Sequence, residues 1–141
     1  MKQQLSPEEE TLKRVYELIE SYERSINSQD ILGLINLRKR LSVQAARLGD
    51  ILSECKVAYN ESYFNRKIYI ENRKQELVAK KLPYNKASTE AMVESDGLYR
   101  TELQSQGFAY RIENLLKQVN IIVTGLDIEI SFLKNEKRFA E

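Results

Sequence analysis

The sequence predicts an all-α protein. Its core is a long antiparallel helical hairpin, coiled-coil-like, with an N-terminal helix packed at the open end to make a three-helix bundle. Three observations predict this. Apolar residues recur at alternating spacings of three and four over most of the chain. Two prolines and five glycines are all that punctuate 141 residues. The chain is 42% hydrophobic and 30% charged, a balance that suits long exposed helices.

The first helix is predicted over 7–26. Ser6 caps it, Pro7 takes the first helical position and Glu9 completes a capping box. Glu8, Glu9 and Glu10 sit at the positive end of the helix dipole. Leu12, Val15, Ile19, Tyr22 and Ile26 form one narrow stripe.

A short turn follows, with Ser28 or Asp30 as the next cap. The second helix is predicted over 30–81, roughly 75 Å long at the α-helical rise. Its stripe runs through Leu34, Leu37, Leu41, Ala45, Leu48, Leu52, Cys55, Tyr59 and Tyr63, with Ile68 and Leu77 further on. Gly49-Asp50 is the one candidate break. The stripe keeps phase across it, which favours continuity.

Pro83 ends the second helix, and residues 82–97 form the connection, with a short helix starting at Ser88-Thr89-Glu90 and a turn at Asp96-Gly97. The last helix is predicted over 98–139, on the stripe Phe108, Ile112, Leu115, Val119, Ile122, Leu126, Ile130 and Leu133. The β-branched run Ile121-Ile122-Val123 is too short to outweigh it. Counting outward from the connection sets Leu41 near Leu133 and Tyr63 near Ile112. The whole chain, 1–141, reads as one helical domain.

Each stripe is narrow, and Phe64, Tyr69, Tyr99, Phe132 and Phe139 find no burial site in a two-helix arm. Such residues mark a further interface, most economically a second copy of the chain. Tyr22, Tyr59 and Tyr63 belong to the core, and the other tyrosines are available to partners.

The chemistry excluded is extensive. There is no histidine, which removes the usual general acid–base, the nucleophilic triads and the commonest metal ligand. One cysteine, Cys55, excludes an intrachain disulfide and, without histidine, a structural zinc site. It sits on an apolar stripe and reads as a small core residue. No phosphate-binding glycine loop is present. Asp127 and Glu129, two apart on a helix, do not face each other. The expectation is no enzyme, no metal and no cofactor.

Net charge is +1, so any pull on a polyanion must be local. Three basic clusters supply candidates. Arg38, Lys39 and Arg40 form the first, and Lys134, Lys137 and Arg138 the second, with both expected at the same end of the hairpin. Lys80, Lys81 and Lys86, with Lys74 nearby and Tyr84 to stack on a base, form the third at the opposite tip. Set against this, Lys134, Lys137 and Arg138 also suit the negative end of a helix, and an ordinary solvated surface explains all three. Met1-Lys2-Gln3-Gln4 and the acidic stretch after it lack the apolar segment of a secretory signal. No apolar run nears the ~20 residues that cross a bilayer. A cytoplasmic protein with no membrane partner is expected.

The second half has a further pattern. A tyrosine-containing basic helix from Tyr63 to Lys81 precedes Lys86-Ala87-Ser88-Thr89-Glu90-Ala91 and Tyr99. The chain then closes on Ile130-Ser131-Phe132-Leu133-Lys134-Asn135-Glu136-Lys137-Arg138. Over 60–138 this resembles small all-helical proteins of unassigned role encoded by tailed bacteriophages. The resemblance implies a non-enzymatic, oligomeric phage or prophage protein in a bacterial cytoplasm, and it carries no catalytic residues. The expected function is a helical interaction or assembly protein, a homo-oligomer with a protein partner. The alternative is a nucleic-acid-binding accessory factor of replication or recombination using the basic ends.

Overall fold

A computed structural model describes residues 4–140, so the expectation for Met1, Lys2 and Gln3 lies outside the described residues. Among these the chain forms four α-helices and no strand: α1 (Pro7–Arg24), α2 (Ile31–Ala79), α3 (Tyr84–Glu94) and α4 (Asp96–Ala140). They make two compact units. Unit 1 takes the chain up to Ile51 and from Ile112 onward, and unit 2 is Leu52–Arg111. No helix among the described residues is long and apolar enough to cross a membrane.

The helix ends follow local hydrogen bonding. Ser6 and Glu9 form the capping box of α1, at 2.8 and 3.2 Å. That helix stops two residues before the predicted end. The Ser25 N–H and hydroxyl both donate to the Tyr22 carbonyl, which leaves Ile26 exposed. Both candidate caps of α2 are used. The Asp30 carboxylate accepts from the Gly33 N–H, and the Ser28 hydroxyl accepts from the Asp30 N–H, each at 3.1 Å. The helix then runs through Gly49 without a break.

At its far end α2 closes in a Schellman motif. The Leu82 N–H donates to the Leu77 carbonyl and the Lys81 N–H to the Val78 carbonyl. Lys81 occupies the left-handed position, φ 68°, where glycine is usual. The short helix starts at Tyr84, not Ser88. Pro83 accepts from the Ala87 N–H at 2.9 Å and fixes the entry angle, so Ser88 and Thr89 fall inside the helix. Asp96-Gly97 is the first turn of α4 and not a separate turn.

In unit 1, segments of α1, α2 and α4 share one core. Val15 from α1, Leu34, Leu41 and Leu48 from α2, and Ile112, Val119 and Leu126 from α4 are fully buried. Each such side chain contributes about 1.5–3 kcal/mol relative to exposure. The predicted stripes therefore do face inward here. The Tyr22 hydroxyl lies 3.6 Å from where a Cβ on Gly125 would stand, an ordinary contact distance that places α1 beside α4. Arg38 and Asp127 form an ion pair between α2 and α4. Gln44 is buried among the leucines, and its Oε1 has no hydrogen-bond partner among the described residues.

Unit 2 is built differently. Its buried apolar side chains are Leu77, Ala87, Ala91 and Ala109, joined by Ser95 and Glu102. Arg66 of α2 pairs with Glu102 of α4, and Arg73 of α2 with Glu94 of α3, so the returning chain runs antiparallel to α2. These pairs correct the predicted register, which set Tyr63 near Ile112, by about two helical turns. The turn is only Lys80 to Pro83, and α3 already belongs to the returning arm. Ile68, predicted on the seam, is exposed because Arg66 and Arg73 hold the inward positions on either side of it.

Candidate interaction surface

Unit 2 carries the features with the least structural explanation. Its seam is lined by alanines because α3 and α4 must come close to α2 for two pairs of ionic groups to meet. The Arg66 guanidinium donates to both Glu102 oxygens, and the second bond measures 3.4 Å. Two tyrosine rings flank it, with centroids at 5.1 Å (Tyr99) and 5.8 Å (Tyr63). The hydrogen bond it donates to Glu102 raises the Arg66 pKa above its ordinary value. Glu102 is 5% exposed, so this carboxylate depends on its arginine.

One heptad further along α2, Arg73 donates to both oxygens of Glu94, at 2.6 and 3.3 Å, and to Glu76 at 3.0 Å. Its hydrogen bond holds the Glu94 carboxyl below the usual carboxylate range. Lys74 lies 4.1 Å from the centroid of the Tyr84 ring and 3.9 Å from Glu71. The Tyr84 hydrogen bond raises its pKa. Together these contacts fasten α3 against α2.

Several large apolar side chains of unit 2 lie on the outside. Phe64 and Ile68 on α2, Met92 on α3, and Tyr99, Leu103 and Tyr110 on α4 are all exposed. Phe64, Tyr69, Tyr99, Phe132 and Phe139, which the sequence leaves without a burial site, are exposed too. Tyr22, Tyr59 and Tyr63 are half-buried, as core-edge residues should be.

The three basic clusters fare unequally. Lys80, Lys81, Tyr84 and Lys86 gather around the turn, and among the described residues the three lysines make no ion pair. Tyr84, however, already has Lys74 against its ring. Arg38 is consumed by Asp127, while Lys39 and Arg40 are exposed. Lys134, Lys137 and Arg138 are exposed on α4, roughly 10–16 Å beyond Asp127 at the α-helical rise. The Arg38–Asp127 pair sets the level of the first cluster, and the second stands roughly two to three helical turns beyond it along α4, within the same unit.

Sequence reasoning missed Arg66, Arg73, Glu94 and Glu102. The available signal was two arginines one heptad apart on α2, facing two glutamates on the return arm. It becomes visible only in the correct register. Among the described residues no group of histidine, cysteine, aspartate and glutamate could hold a metal ion. The arrangement can recognise apolar helical surfaces, and its turn can attract anions. Comparison with protein-family models, curated proteins and solved structures gives no match.

Proposed function

We propose that this chain is a non-catalytic helical interaction and assembly protein that works as a homo-oligomer and engages a protein partner. The observation that carries the reading is the inversion in unit 2. Alanines and ion pairs occupy the seam, while Phe64, Ile68, Leu103 and Tyr110 face outward. Apolar side chains arranged this way gain free energy only when another helical surface covers them. The lack of histidine and of a convergent acid–base pair supports a role without catalysis. The resemblance of 60–138 to tailed-bacteriophage proteins favours a phage-encoded accessory or structural factor in a bacterial cytoplasm. Sedimentation equilibrium from micromolar to ~100 µM tests the oligomer. A mass above 16.5 kDa is expected, and a monomer throughout overturns it.

A second reading rests on the turn, where Lys80, Lys81 and Lys86 project without ion pairs among the described residues. There the chain would bind nucleic acid through phosphate contacts. A mobility shift that weakens steeply with salt supports it, since released counterions scale with phosphate contacts. Absence of any shift at low salt removes it.

A further inference from the structure

We infer that the outer face of α4 in unit 1 is a two-fold, antiparallel interface for a second copy of this chain, an inference that rests on the oligomeric reading above. Within unit 1, α4 carries two stripes. One, through Val119, Ile122, Leu126 and Ile130, is buried in the core. The other runs through Ile121, Gly125, Ile128, Phe132, Asn135 and Phe139 at alternating spacings of four and three. It lies roughly 140° further round the helix. No cap or turn interrupts it, since α4 is continuous to Ala140. Ile121, Ile128, Phe132 and Phe139 are exposed by 72, 68, 61 and 93%. Every residue over 134–140 is exposed as well, so no side chain of these last two turns is buried within the chain. A helix end with no packed face is marginal in water.

The occupant follows from the symmetry of this outer stripe. Read from either end, a large apolar residue is followed by glycine or asparagine, then two large apolar residues, then asparagine or glycine, then a last large apolar residue. A two-fold interface sets residue i against j and j against i, so it requires such a self-complementary order. An antiparallel copy centred between Ile128 and Phe132 places Ile121 on the partner's Phe139 and Ile128 on the partner's Phe132. It also places the partner's Asn135 on Gly125, where no side chain competes for the space. The Tyr22 hydroxyl, 3.6 Å from the position of a Cβ on Gly125, stands there to hydrogen-bond the incoming amide. A single asparagine in an otherwise apolar seam fixes the register of paired helices. The same register lays the uncovered end of α4 along the partner's Ile121 segment.

The area of the stripe itself is sufficient. At ~200 Å² for a phenylalanine and ~90 Å² for an isoleucine side chain, its four apolar members expose roughly 430 Å² per copy. Interfaces are roughly 60% apolar, so this corresponds to roughly 700 Å² per copy, close to the ~800 Å² that each partner contributes to a standard interface.

The test uses the full chain with Cys55→Ser as background. Gly125→Cys combined with Asn135→Cys should give a disulfide-linked dimer on mild oxidation, while either change alone does not. The two positions are ~15 Å apart within one helix, too far to join to each other. Phe132→Glu, an exposed position whose change preserves helical circular dichroism, should weaken dimerisation about 30-fold or more. A dimer that Phe132→Glu leaves intact and the paired cysteines fail to link overturns this surface but leaves the oligomeric reading standing. A monomeric parent chain overturns both and assigns the face to a different protein.

Discussion

Arg66 and Glu102 hold each other across the seam of unit 2, with Tyr63 and Tyr99 against the guanidinium. The pair sits where a two-helix arm would otherwise place leucines. A buried ion pair adds little net stability, yet it discriminates against other registers, because a slip leaves a charge in the seam without a partner. Glu102→Ala should therefore lower stability by about 1–3 kcal/mol, and Arg66→Met with Glu102→Leu should be close to neutral. Urea unfolding of the single and paired variants measures both. Equal losses in the two would mean the side chains act through packing alone.

Gln44 makes the opposite case. Its Oε1 is buried among the unit 1 leucines without a partner among the described residues. Gln44→Met keeps the shape and removes the unsatisfied group, so it should raise stability by about 1 kcal/mol. A fall in the thermal midpoint would show that the amide has a partner in solution.

Lys81 occupies the left-handed position of a Schellman motif that glycine fills without steric cost. Lys81→Gly should stabilise the chain by about 1 kcal/mol. If the turn binds nucleic acid, the same variant should bind less tightly while melting higher. Those two readouts moving in opposite directions would separate a binding role for Lys81 from a merely tolerated strain.

Glu94 gives a pH dependence of known sign. The hydrogen bond from Arg73 depresses its folded pKa, with Lys80 and Tyr69 acting in the same direction. A carboxylate of this kind stabilises the fold above its unfolded value, about 4.3, and that stability is lost as pH falls through the lower folded value. The thermal midpoint should drop between about pH 5 and 2, and drop less in Glu94→Gln. Parallel curves for the two proteins would count against the Arg73 contact.

Legibility in the sequence divided by the kind of residue at the buried positions. In unit 1, Leu34, Leu41, Leu48, Val119 and Leu126 are large, aliphatic and regularly spaced, and periodicity alone picks out the core. In unit 2 the same rule selects Ile68, which is exposed, and passes over Ala87, Ala91 and Glu102, which are buried. Alanine and an ion-paired glutamate carry almost no hydrophobic signal. The register was lost for a related reason. Ser88-Thr89-Glu90 resembles a helix start, whereas Pro83 is the residue that sets it. The basic turn was readable because charge needs no partner to be recognised, but the partnership of Arg38 with Asp127 was not.

The division of the chain into units bears on how it can vary. Unit 2 interrupts unit 1 in the sequence, and α2 and α4 pass from one to the other without a loop. An insertion or deletion in one arm alone has no flexible segment to absorb it, and it would rotate every position beyond it out of phase. Viable length variants should instead change both arms at once, by whole heptads, so that residues such as Arg66 and Glu102 stay opposite each other. Within unit 2 the pairing of the two strands of chain is in that sense graduated, in steps of roughly 10 Å.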